Sequence, residues 1–130
     1  MTESEIAWLA GLLEGEGYFG WTSNKNGIRI TVGMTDEDTI NKIKRIAGGN
    51  IIGVKELPER KPVYTWHSSV REDVIEILNA ILPHMSERRT ETINLMLAWN
   101  KQFPKGGLRK DSILRPEYVK RTNVRHQEKI

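Results

Sequence analysis

The sequence has no cysteine among its 130 residues, and no run approaches the roughly 20 apolar residues that a membrane-spanning helix needs. The missing cysteine excludes disulfides, thiolate zinc sites and cysteine nucleophiles. The opening residues lack the layout of a secretory signal peptide, so we expect a cytoplasmic protein with no membrane partner. Aromatic residues make up only 7%, whereas 38% hydrophobic and 28% charged residues are typical of one globular domain.

Positive charge is concentrated at one end of the chain. The formal net charge is +3, yet residues 104–130 alone hold 8 basic and 3 acidic residues. We therefore divide the sequence into a domain over 1–103 and a basic tail over 104–130. Such a tail suits a polyanion such as nucleic acid, although a solvated chain end has the same composition.

Local signals predict an α+β domain. Thr2-Glu-Ser-Glu5 has the pattern of a capping box, so a helix should run from there to about Gly15. Strands are predicted over 18–23, 28–34, 51–55 and 63–68. A second helix should follow Thr35 or Asp36. A third should start with a capping box at Ser69-x-x-Glu72, with Val70 on its apolar side, and a fourth should span about 86–102. Two hairpins separated by a helix predict one mostly antiparallel four-stranded sheet with helices on one face.

The first helix is apolar on two sides. One side is expected to pack on its own domain and carries Ile6, Leu9, Ala10 and Leu13. The other side needs a second covering surface, and its glycines would let another backbone come close; it carries Trp8, Gly11, Leu12 and Gly15.

Two acids stand at the end of this helix, Glu14 and Glu16. Residues two apart on a helix point in different directions, so the pair does not suit a two-carboxylate glycosidase site. A carboxylate at a helix C-terminus is disfavoured by the helix dipole, and a divalent cation would reverse that penalty. Mg²⁺ prefers carboxylates, waters and phosphate oxygens, so Glu16 is a candidate ligand. A solvated surface glutamate is the alternative from spacing alone.

The segment Leu9-Ala-Gly-Leu-Leu-Glu-Gly-Glu-Gly17 resembles the motif of the LAGLIDADG homing endonucleases, and residues 4–103 follow the αββαββα order of that family with one further helix. Because one motif is present, the resemblance implies the homodimeric type, with the face at Trp8, Gly11, Leu12 and Gly15 as the interface. It also implies hydrolysis of duplex DNA with Mg²⁺ or another divalent cation and no small-molecule cofactor.

The resemblance further implies site residues. Glu16 matches the metal-binding acid, with the carbonyl of Gly15 beside it, and Arg88 or Arg89 matches the basic residue near the start of the last helix. Glu14 matches the acid with a structural role. Met34 stands where many members have a glutamine that positions water, and Thr35 or His67 is a possible substitute.

The open face of the sheet is the expected DNA-binding surface. Arg29 is the best candidate for reading guanine, and lysines and arginines in the loops suit phosphates. The expected contact residues are Thr22, Asn24, Lys25, Asn26, Arg29, Thr31, Lys55, Arg60, Lys61, Thr65 and His67.

Two other functions stay open at this stage. A protein of the same fold could bind nucleic acid without cutting it, as an RNA maturase or a DNA-binding remnant. A dimer that binds other proteins through its tail is the third reading.

Overall fold

The computed structural model describes residues 1–22 and 27–104, and for Val54 and Lys55 it describes the backbone alone. The predicted residues Asn24, Lys25 and Asn26, the Lys55 side chain and the tail from 105 onward lie outside the described part. Within the described residues, no helix is long and apolar enough to cross a membrane.

The elements follow the predicted order. They are α1 (Glu3–Glu16), β1 (Tyr18–Trp21), β2 (Ile28–Met34), α2 (Glu37–Ala47), β3 (Asn50–Lys55), β4 (Val63–Ser68), α3 (Arg71–Ile81), a 3₁₀ turn (Leu82–His84) and α4 (Glu87–Gln102). The fold is therefore α+β, as the sequence predicts.

Local caps explain where the helices begin. Thr2 and Glu5 form the predicted capping box at α1, Asp36 caps α2, and the Ser86 hydroxyl accepts from the Arg89 backbone N–H at α4. The predicted capping box at Ser69 is wrong. Val70 occupies the N-cap position of α3, makes no side-chain hydrogen bond and is 57% exposed, so it is not part of the apolar face either.

One four-stranded sheet in the order β1-β2-β4-β3 organises the domain, and all three pairings are antiparallel. Val32 pairs with Trp66, and Thr31 pairs with His67. Since side chains alternate between the two faces, this register sends Val32 and Trp66 to the helices and Thr31 and His67 to the other side. A bulge between Ile51 and Val54 interrupts β3, where Gly53 adopts a φ of +56°.

The core lies between the sheet and the helices. Leu9, Ala10 and Leu13 of α1 are buried in it, as predicted, together with Trp66 of β4 and Trp99 of α4. Arg71, at the start of α3, fixes the far end of α4: it donates to the Asn100 side chain and the Phe103 carbonyl, and its guanidinium lies 4.3 Å from the centre of the Trp99 ring. These contacts join the start of α3 to the end of α4 behind the open sheet face.

Candidate nuclease centre and DNA-binding surface

Glu16 lies at the last position of α1 and its side chain is exposed. The helix ends at Gly17, whose N–H donates to the carbonyl of Leu13, so the carbonyls of the final turn have no donor within the helix. Gly15 is exposed as well. This helix end therefore presents carboxylate and carbonyl oxygens, which are the ligands that Mg²⁺ prefers.

Acidic side chains do not cluster around a single point in the part of the chain that the structure describes. Across residues 1–22 and 27–104, no three His, Cys, Asp or Glu side chains come together in a group that could hold a metal. The oxygens of Glu16 and Gly15 fit a divalent cation chemically, and water and phosphate oxygens are the other ligands that Mg²⁺ prefers.

Glu14 has different surroundings, although it is only two residues away. Its carboxylate accepts from the Ser86 backbone N–H at 2.6 Å and from the Ser86 hydroxyl at 2.9 Å. The hydrogen bond from the Ser86 N–H lowers the pKa of Glu14, and the Ser86 hydroxyl, Arg89 and Arg88 act in the same direction, opposed by burial. Glu14 thus holds the end of α1 against the start of α4.

The two arginines of α4 also differ. Arg89 is half-buried: its Nε lies 3.8 Å from the Glu14 carboxylate, and its guanidinium lies 5.3 Å from the centre of the Phe19 ring. Burial lowers the pKa of Arg89, with a further contribution from Arg88, while Glu14 raises it. Arg88 is exposed in the first turn of α4, two residues beyond Ser86. The Arg88 side chain is therefore accessible at the surface, whereas Arg89 contacts Glu14 and Phe19.

None of the described residues covers the second face of α1 at its glycines. Among those residues, a Cβ added at Gly11 or Gly15 would meet nothing within 4 Å. Trp8 and Leu12 are half-buried at the margin of this face, and the Lys42 amino group lies 4.2 Å from the centre of the Trp8 ring. Ser4 and Ala7 are also exposed on α1 and extend this row of small residues. The sequence interpretation missed them, although Ser4, Ala7 and Gly11 stand at positions i, i+3 and i+7 of one helix face.

The open sheet face brings most of the predicted polar strand residues together. Arg29 and Thr31 of β2 and Thr65 and His67 of β4 lie on this face and are partly exposed, and Thr22 follows the end of β1. The backbone of Lys55 pairs with Val63 of β4, on the side of β4 where β3 forms the edge of the sheet. Arg60 and Lys61 are exposed in the loop between β3 and β4, away from these strand rows.

Tyr18 and Asn50 belong to the same surface and were missed by the sequence interpretation. Tyr18 pairs with Thr31 and is 40% exposed. Asn50 pairs with His67 and is exposed. For Tyr18 the signal was its alternation with Gly20 and Thr22, whereas Asn50 lies one residue before the predicted strand. Met34 is half-buried and packs against the core, so it contributes no polar side chain to this surface.

Comparison with known proteins gives two kinds of likeness. The intron-encoded RNA maturase bI4 of Saccharomyces cerevisiae is 36% identical over 78 residues, which cover 57% of this chain and 11% of the relative. The probable intron-encoded endonuclease aI2 of Debaryomyces hansenii is 42% identical over 89 residues, covering 65% of this chain and 12% of the relative. The chain thus spans about a tenth of the length of these curated relatives. No protein-family profile matches the chain.

Solved structures give the likeness in fold. The homing endonuclease I-CvuI, in complex with the I-CreI target, superposes with a TM-score of 0.61 at 19% identity, covering 79% of this chain and 69% of that one. I-CeuI, complexed with DNA, gives 0.61 at 13% identity over 79% of this chain and 56% of its own. The archaeal I-Vdi141I, also complexed with DNA, gives 0.58 at 14% identity over 76% and 68%.

The resemblance predicted from the motif at 9–17 and the αββαββα order is therefore confirmed: this chain has the fold of the LAGLIDADG homing endonucleases.

Proposed function

We propose that this protein is a divalent-metal-dependent DNA endonuclease that works as a homodimer on a near-palindromic duplex. The observation that carries the proposal is the exposed carboxylate of Glu16 at the end of a helix whose small-residue face is uncovered. Two copies packed through this face would bring two Glu16 side chains to one twofold axis, and a twofold protein suits a target with the same symmetry.

Each part of the chain has a separate task in this proposal. Glu16, with the Gly15 carbonyl, would hold Mg²⁺ or another divalent cation. When bound, such a cation stabilises negative charge on phosphate oxygens during hydrolysis. Arg88 would contact the phosphate, and the Glu14–Ser86 hydrogen bonds, which join the end of α1 to the start of α4, support this role. No small-molecule cofactor enters the reaction.

The open face of the sheet would lie in the major groove. Arg29 would bind guanine, because arginine can donate two parallel hydrogen bonds to that base. Base edges or phosphates would be contacted by Thr31, Thr65, His67 and Thr22. Arg60, Lys61, Lys55 and Lys25 suit phosphates, which give affinity without sequence information. Asn24 and Asn26 suit adenine or the backbone. Three neighbours in the fold are complexes with DNA or a DNA target, which supports duplex DNA as the partner of this protein.

The direct experiment is cleavage of a randomised duplex library by the full chain, once with Mg²⁺ and once with EDTA. We expect Mg²⁺-dependent double-strand cuts in a related group of near-palindromic sequences. Library DNA that stays intact at every enzyme concentration would contradict the endonuclease assignment.

A non-cleaving RNA-binding function is the second candidate, because one relative is an RNA maturase. The exposed Glu16 carboxylate favours the nuclease over a DNA-binding remnant, since a carboxylate at that helix end suits a divalent cation. Competition between folded intron RNA and selected duplex DNA separates the two: preference for the RNA together with no cleavage supports the maturase reading.

A further inference from the structure

The ring of Tyr18 lies over the backbone of Gly20 on the open sheet face. A Cβ built on Gly20 would stand 2.5 Å from Tyr18 Oη, 2.8 Å from Cζ and 2.9 Å from Cε2. No larger residue fits there while the ring stays in place. Gly20 is consequently buried although it belongs to the open face, whereas Tyr18 itself is 40% exposed.

The ring occupies the space beside Arg29. In the antiparallel register Gly20 is the direct partner of Arg29, and Tyr18 is the partner of Thr31. Directly opposed residues have Cβ atoms about 5 Å apart, so a ring over Gly20 flanks the stem of the arginine. Arg29 Nε and Thr31 Oγ1 are both buried and have no hydrogen-bond partner among the described residues, while Arg29 as a whole remains partly exposed.

We propose that Tyr18 is a specificity-determining residue that acts together with Arg29, with Gly20 as the position that admits its ring. The ring confines the arginine stem, so the guanidinium meets the major groove in a restricted set of directions. A bidentate contact to the O6 and N7 of guanine requires the guanidinium donors to lie in one fixed orientation. An arginine side chain that is already confined also loses less rotamer freedom when it binds. This inference rests on the proposed recognition of duplex DNA.

A purely structural role is the competing explanation. The sheet order makes β1 an edge strand, and an aromatic ring over an edge glycine stabilises the strand. The two explanations predict different results for Gly20→Ala: a structural role predicts a loss of stability, and a role in specificity predicts a loss of discrimination between base pairs. Alanine keeps both functional side chains, and only the far end of a flexible tyrosine has to move to accommodate its Cβ. The substitution therefore displaces the ring without removing it and leaves the fold intact.

The test uses the duplex selected from the randomised library. Arg29→Ala first identifies the base pair whose preference depends on that arginine. Dissociation constants are then measured for the four variants of that base pair with the parent, Tyr18→Ala, Tyr18→Phe, Gly20→Ala and the double variant Gly20→Ala/Arg29→Ala. Gly33→Ala is the matched control, because its Cβ would make ordinary contacts at 3.6 Å to Thr65 and 3.9 Å to Val63. Urea unfolding of each protein accompanies the binding data.

We expect Tyr18→Ala and Gly20→Ala to reduce discrimination at that base pair roughly three- to tenfold, as the loss of one preordered side chain implies. Tyr18→Phe and Gly33→Ala should keep this discrimination. In the Arg29→Ala background, Gly20→Ala should cause no further loss of discrimination. The urea midpoint of Gly20→Ala should match that of the parent. Unchanged discrimination in Gly20→Ala, an equal loss of affinity for all four base pairs, or no base preference that depends on Arg29 would overturn the inference. Failure to select any duplex would instead count against the proposed function.

Discussion

Two glutamates two residues apart illustrate how much the surroundings decide a residue's role. The Glu14 carboxylate accepts two hydrogen bonds from Ser86 and faces Arg89, whereas Glu16 is exposed at the helix end. The sequence predicted separate tasks for them, because residues i and i+2 of a helix point apart. It could not predict Ser86 as the partner of Glu14, since that contact joins residues 72 positions apart.

The Glu14 contacts lead to a prediction for stability. Glu14→Gln removes the charge, so we expect the free energy of unfolding to fall by about 1–2 kcal/mol at pH 7, in line with hydrogen bonds to charged groups. The folded-state pKa is lowered, so the contribution of the charge is complete above the unfolded pKa of about 4.3 and is lost as pH falls through the folded value.

Urea unfolding of the parent and Glu14→Gln at pH 7, 5 and 3.5 measures this effect. The difference between the two proteins should shrink at the lowest pH. Glu76→Gln, an exposed position on α3, is the matched control and should leave stability nearly unchanged. A difference that stays constant across the pH series would show that the carboxylate charge does not stabilise the junction of α1 and α4.

At the scale of elements, boundaries set by local chemistry could be predicted, and those set by tertiary packing could not. The strands β2 and β4 have the predicted bounds because alternation and turn residues define them locally. The start of α3 was placed too early, because Arg71 is bound to the end of α4 and its helix buries Val74, Ile77 and Ile81 instead of Val70. The bulge in β3 was also not foreseen, since a single Gly53 does not specify one.

The uncapped start of α3 gives a second prediction. Val70 has the extended backbone of an N-cap residue, with φ of −74° and ψ of 121°, but its side chain makes no capping bond. Val70→Asp should supply one and raise the free energy of unfolding by about 1 kcal/mol.

Urea denaturation checks that prediction, with Val70→Ala as the control that removes the exposed side chain without adding a cap. Equal stabilities of the Asp and Ala variants would mean that the helix start has no unsatisfied donor within reach.

For the whole molecule, the sequence predicted the four-stranded antiparallel sheet and its covering helices, and the fold confirms both. The DNA-binding surface stays a prediction. Dimerisation stays a prediction, because residues 1–22 and 27–104 of one chain show only that none of them covers Gly11 and Gly15 on α1. We expect the protein to sediment at roughly twice its chain mass of 14.9 kDa.

Gly11→Leu tests the paired-helix arrangement. No residue that the structure describes lies within 4 Å of the added Cβ, and leucine favours a helix over glycine by somewhat less than 1 kcal/mol, so each protomer should fold normally. In a close helix pair the side chain would collide with its partner. We expect analytical ultracentrifugation to show a monomer and circular dichroism to show that it is folded. We also expect this variant no longer to cleave DNA. A Gly11→Leu protein that remains a dimer with full cleavage would place the interface elsewhere.

The central proposal is that the carboxylate of Glu16 would hold the divalent cation needed for cleavage without being needed for DNA binding. The most direct test measures binding and Mg²⁺-dependent cleavage of one selected duplex by the parent, Glu16→Gln and the control Glu76→Gln. We predict that all three bind with similar affinity, that Glu76→Gln cleaves like the parent, and that cleavage by Glu16→Gln falls by roughly a hundred- to a thousandfold. Parent-like cleavage by Glu16→Gln would contradict the account.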